Sequence, residues 1–245
     1  MNRFVAALGN HPRRLTAAAV VFMAGVGWLW LIASVVDVGL AEALMPAMED
    51  YLSAGGLALG FAMWVAMVFA MMLPTAAPTF RAYADKVGAS AMALVAGYTT
   101  IWLAASIVAT AVQTWLVHLG ALAPHMAPAG VALSASILIA AGIYQFTPLK
   151  WACLFRCRNP RVSDVEAGAG AAFRIGAEEG LACLGCCWAM MAVMFATGLM
   201  NLAAMALLGA LMGLEKLFSG VGLTYFLGVL FIIAGVILAS GLVIG

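Results

Sequence analysis

The sequence predicts an all-α fold: a polytopic transmembrane helix bundle of about seven spans, with the N-terminus cytoplasmic. Three observations carry this. Of 245 residues, 66% are hydrophobic and 9% charged, with a mean hydropathy of +1.11; a soluble domain carries about 25% charged residues. Apolar runs of about 20 residues, long enough to cross a ~30 Å hydrocarbon core as helices, recur along the chain, and the alternation of a β-barrel is absent. With seven spans, all eleven Lys and Arg fall on one side, the side that cytoplasmic enrichment in these residues identifies as inner. A net charge of +1 gives no sign of nucleic acid as a partner.

Residues 1–14, with Arg3, His11, Arg13 and Arg14, form a basic cytoplasmic segment, and 15–245 form one transmembrane domain. The run 15–36 exceeds a signal-peptide core of about 7–15 residues and reads as an uncleaved first span. Segment 37–54 holds Asp37, Glu42, Glu49 and Asp50 and no cation, so it lies outside. The second span, 56–73, ends at Pro74, whose ring removes a backbone donor; Arg81, Asp85 and Lys86 then fall in a loop. The third span is 91–117, followed by an uncharged link with His118, Pro124, His125 and Pro128, and the fourth is 130–147. Segment 148–178 is the long polar stretch, placed in the cytoplasm with Lys150, Arg156, Arg158, Arg161 and Arg174.

The fifth span, 181–197, stops at Gly198. Glu178 and Glu179 precede it, where acidic groups complement the helix dipole. One helix over 181–217 would be about 55 Å long, so Asn201 is read as the cap of a sixth span, 202–217. Glu215 and Lys216 close that span, either as a self-satisfied pair or, since an intramembrane carboxylate is a default site candidate, as part of a site, and 223–243 makes the seventh. Tyr144 and Gln145, at the end of the fourth span, are expected to hydrogen-bond across the bundle.

Sulfur marks the candidate site. Cys183, Cys186 and Cys187 stand at i, i+3 and i+4 on the fifth span, and Met190, Met191 and Met194 continue their face. Met63, Met67 and Met71 repeat at i+4 on the second span, with Met72 beside them. Cys153 and Cys157 are i, i+4 if their stretch is helical. The orientation places Cys183–Cys187 in the first turns of the fifth span, near the same membrane face as the methionines and the second cysteine pair. Thiolates and thioethers select Cu(I), zinc or iron–sulfur sites. Thioethers beside thiols favour Cu(I), and zinc would prefer Cys with His or carboxylate, whereas no His lies near these positions. The expected ligands are Cys183, Cys186 and Cys187, with Met67, Met71, Met72, Met190 and Met191 as further ligands or transfer sites and Cys153 and Cys157 as the first to receive the ion. The bland reading, buried Cys and Met as packing material, does not require this convergence.

Further signatures are ordered along the chain: Met67-x3-Met71-Met72-Leu73-Pro74, Gly97-Tyr98-x3-Trp102, Gly142-Ile143-Tyr144-Gln145-x2-Pro148, Cys153-x3-Cys157-Arg158, Gly180-x2-Cys183-x-Gly185-Cys186-Cys187-Trp188, and Glu215-Lys216. On these residues, over roughly 60–218, the chain resembles a bacterial integral membrane family catalogued as a domain of unknown function and described as predicted metal-binding membrane proteins. The resemblance implies metal binding, and copper handling has been proposed for that family. One position departs from its pattern: Glu179 stands where a His is expected, so a site built on that His either uses Glu179 or lacks the ligand.

The expected function is therefore copper handling in the bacterial inner (cytoplasmic) membrane, with copper as Cu(I) bound and delivered. The expected partners are membrane lipid and a copper-receiving membrane or periplasmic protein. No P-loop is present, which argues against pumping by the chain's own ATP hydrolysis. The alternatives are a membrane thiol–disulfide carrier, which would be an enzyme, and an accessory or assembly subunit of a larger membrane complex.

Overall fold

The computed structural model describes residues 12–36, 52–122, 128–161 and 168–241. Arg3, His11, the acidic residues 37–50, Pro124 and His125 lie outside them. All regular structure among the described residues is helical: α1 is Pro12–Val36, α2 Ala54–Val87, α3 Ala91–His118, α4 Val131–Tyr144, α5 Pro148–Arg158, α6 Ala169–Thr197, α7 Leu202–Leu217 and α8 Gly222–Ala239.

Five helices, α1, α2, α3, α6 and α8, are long and apolar enough to cross a membrane, and α4 with α5 makes a sixth if that pair, bent by 65°, is one broken span. The break follows from local chemistry. Pro148 has no N–H to continue α4, and the Thr147 side chain instead caps α5 by accepting from the Lys150 N–H. At 16 residues, α7 is about 24 Å long, shorter than a ~30 Å core. The count expected from sequence thus differs from the observed helices at two places, the α4–α5 break and the short α7.

Pro74 does not end α2. The helix widens into a π-turn at Val68–Met72, where the Leu73 N–H reaches the Val68 carbonyl, and then runs through Pro74 and Pro78 to Val87. Pro74 brings no N–H to the preceding turn, and the Trp28 indole supplies one to the Ala70 carbonyl at 3.1 Å. Past the prolines, Leu73, Ala76, Phe80, Tyr83, Ala84 and Val87 are buried, a helical spacing. Arg81, Asp85 and Lys86 occupy the opposite, exposed face of this helix and not a loop.

α6 also starts earlier than its apolar run. Its first turns are polar outside, where Arg174 and Glu178 pair at i, i+4, and small inside, where Ala172, Gly176 and Gly180 are buried. Its closest partner is α3. A Cβ at Gly176 would overlap the Leu94 carbonyl, and one at Gly97 that of Phe173, so the two backbones pack directly on each other, as small residues permit. Cys183 consequently lies about 21 Å along α6 from Ala169, in the middle of the helix and not in its first turns.

Polar contacts gather several helix ends at one face of the bundle. Arg13, at the start of α1, pairs with Asp85, near the end of α2. Arg156 of α5 reaches Glu178 of α6 at 3.6 Å. Arg158 donates to the carbonyls of Glu215, in the last turn of α7, and of Ser219 and Gly220 beyond it, where a cation complements the exposed carbonyls.

Candidate metal centre

Helical spacing puts Cys183 and Cys187 one turn apart on α6, with Cys186 beside them, and all three face inward at 1–2% exposure. Their three Sγ atoms lie within 4.8 Å of one another. Among the described residues this is the one group of three or more Cys, His, Asp or Glu whose ligand atoms come so close. Cys186 and Cys187 are nearest, with sulfurs 3.2 Å apart, yet all five cysteines are free thiols.

The second cysteine pair divides. Pro148–Arg158 is helical as expected, and Cys157 places its Sγ 3.8 Å from that of Cys186. Cys153, one turn earlier, lies instead against Gly185, where a Cβ would strike its sulfur. The thiol site therefore has three close members and one neighbour from α5, and Cys153 stands apart.

The methionines are in the same core. Met67, Met72 and Met190 are fully buried, and Met71 and Met191 expose 2% and 5%. Met71 faces Gly209 of α7, whereas Met191 lines a separate cavity of about 610 Å³ together with Trp64, Trp102 and Trp188. Met72 meets the thiols through its backbone. The Tyr98 hydroxyl lies 3.1 Å from the Met72 carbonyl and 3.0 Å from Cys183 Sγ, so its single proton can serve either acceptor.

Two lysines, which local spacing does not connect to the thiols, complete the surroundings. Lys216 does not pair with its neighbour Glu215. Its Nζ donates to Thr75 Oγ1 at 2.6 Å and to Cys183 Sγ at 3.0 Å, so an ammonium sits where a thiolate would need a countercharge. Glu215 pairs instead with Lys150 at 2.7 Å, both almost completely buried. The same Lys150 Nζ donates to the Cys186 carbonyl at 2.7 Å. One side chain thus ties α5 to the cysteine helix and to α7. The adjacency of Glu215 and Lys216 was visible in the sequence; that they point to different partners was not.

Glu179 neither precedes α6 nor caps it. It lies inside the helix, one turn before Cys183, at 2% exposure. Its Oε1 accepts from the Tyr83 hydroxyl at 2.9 Å and from Arg156 Nε at 3.1 Å, while Oε2 is buried without a partner. The carboxylate is held by an arginine and a tyrosine and is not part of the three-thiol group. Tyr144 bonds across the bundle to the Gly185 carbonyl, whereas Gln145 is buried with neither amide atom partnered.

A site of three converging thiols with a fourth alongside, and no imidazole or carboxylate among them, is a soft donor set. The comparisons with known proteins agree. The model of a family described as "PpoB2: Copper chaperone" matches residues 61–238, from α2 to α8. No curated protein and no solved structure matches the chain.

Proposed function

Since this chain belongs to the PpoB2 copper chaperone family, we propose that it is a multi-pass membrane protein that binds Cu(I) on Cys183, Cys186 and Cys187 and hands it to a partner. The observation that carries this is the buried triangle of three sulfurs within 4.8 Å. Thiols without nitrogen or oxygen donors suit soft ions, Cu(I), zinc and iron–sulfur among them, and the copper chaperone family favours Cu(I). Cys157, on the short helix α5, is a fourth thiol beside the triangle. Met67, Met71, Met72, Met190 and Met191, in the same buried core, are secondary donors or transfer sites.

The membrane setting draws support from the outer surface. Phe22, Leu29, Leu217 and Phe226 are 62–71% exposed, on a scale that a soluble monomer rarely shows. Seven passes, with α4 and α5 as one broken pass and α7 as a short one, agree with the gathering of Arg13, Arg156 and Arg158 at one face, which is then cytoplasmic. The receiving partner is a membrane or periplasmic copper protein.

Chaperoning differs from storage in its kinetics. Copper-loaded protein, purified in detergent and mixed with increasing amounts of a small copper-free Cu(I)-binding protein, is expected to lose its metal at a rate that rises with acceptor concentration. A rate independent of acceptor, set only by spontaneous dissociation, would mean that the chain stores copper and does not deliver it.

A further inference from the structure

A second cavity, of about 350 Å³, opens between α2 and α7, with Trp28 of α1 at its edge. Small residues make it: Ala206, Gly209, Ala210 and Gly213 present one face of α7 almost without side chains. The opposite wall is Met71, Pro74, Thr75 and Pro78 of α2. Met71 and Thr75 are one turn apart, so a thioether and a hydroxyl face the same space. Gly209 lets α7 pack directly on the Met71 side chain, since a Cβ there would sit 3.1 Å from its Cγ and 3.5 Å from its Sδ.

Thr75 is also the last group before the thiols. Its Oγ1 is 2.6 Å from Lys216 Nζ, which is 3.0 Å from Cys183 Sγ. One lysine side chain therefore separates the cavity from the cysteine cluster. Among the described residues Lys216 forms no carboxylate ion pair, in contrast to Lys150 and Arg156. It is held by a hydroxyl and a thiol, on a flexible four-carbon stem. The larger cavity on the other side of α6 also meets a thioether, Met191, and the Gly185 backbone, but among the described residues no side chain lining it hydrogen-bonds a thiol, and Trp64, Trp102, Trp188 and aliphatic groups make most of its wall.

We propose that the α2–α7 cavity is the route by which Cu(I) reaches and leaves the cysteines, with Met71 as the sulfur donor along it and Lys216 as the side chain that swings aside. The proposal rests on the reading of Cys183, Cys186 and Cys187 as the copper site and adds the path to it. Entry through a space closed by one mobile side chain is a kinetic matter: filling the space slows the approach without altering the ligands.

The test uses the full chain in detergent and Cu(I) supplied as its bicinchoninate complex, with uptake followed by loss of the complex's colour. Ala210→Leu and Gly213→Leu narrow the cavity and touch no thiol; Ala109→Leu does the same to the larger cavity. The first two are expected to slow uptake by about tenfold or more, as when association must wait for the protein to open, with equilibrium affinity kept and Ala109→Leu at the wild-type rate. Met71→Leu, a volume-conserving change, is expected to slow uptake as well, and carries the test if the filled variants do not fold. Wild-type rates in Ala210→Leu and Gly213→Leu, or in Met71→Leu, would overturn the route. Failure of the wild-type chain to take up any copper would instead remove the underlying site.

Discussion

Changing Cys183, Cys186 and Cys187 together to Ser removes the copper that the wild-type chain retains, from about one ion per chain to background. The variant loses every member of the close triangle while the bundle stands. Buried hydroxyls on α3 already satisfy themselves by back-bonding to the preceding turn, as Ser106 and Thr110 do at 2.8 Å, so three serines on α6 have acceptors of the same kind within reach. Single changes should grade the loss. Cys157→Ser, at a sulfur 3.8 Å from that of Cys186, is expected to weaken binding about 10–100-fold, the range of a supporting group near a metal. Cys153→Ser leaves binding intact, since that sulfur lies against Gly185 and away from the cluster. Metal analysis of each purified variant, with helix content as the fold control, reads the series. Equal copper in the triple variant and the wild type would discard the site.

Glu215→Leu produces the largest expected loss of stability. It strands Lys150, which is 0% exposed and has Glu215 as its only carboxylate partner among the described residues. Breaking a buried pair by removing one partner costs about 3–5 kcal/mol, because the remaining charge has no compensation. The double change Lys150→Met with Glu215→Leu removes both charges and is expected to restore most of that loss, since well-packed apolar replacements of buried pairs are often neutral. Thermal unfolding in detergent separates the two outcomes: a sharply lowered midpoint for the single variant and a near-normal one for the double. Because Lys150 Nζ also holds the Cys186 carbonyl, the single variant should weaken copper retention too. A single variant as stable as the wild type would show that the charge is not confined as described.

Much of this was legible in the sequence, and the failures have physical causes. Helical spacing alone brought Cys183 and Cys187 to one face and made Cys153 and Cys157 a turn apart. What it could not show was which of the two meets the thiols, and the packing of α5 on Gly185 sent only Cys157 to them. Pro74 was read as a stop because local rules treat its missing donor as final; a tryptophan from α1 supplied the donor. The buried spacing from Leu73 to Val87 was present in the sequence and was outweighed by that proline. The start of α6 was hidden by Arg174, Glu178 and Glu179, charges that suggested a loop, although two of them form an exposed i, i+4 pair. Lys216 was the hardest to place. Its true partners, Thr75 and Cys183, are 141 and 33 residues away, and nothing local distinguishes them from its neighbour Glu215.

The central claim is that three thiols of α6 hold Cu(I), and X-ray absorption at the copper edge of the copper-loaded chain tests it most directly. The account predicts monovalent copper with sulfur alone in its first coordination shell, and loss of that signal in the Cys183, Cys186 and Cys187 to Ser variant. Copper bound mainly by nitrogen or oxygen, or an unchanged spectrum in the variant, would contradict it.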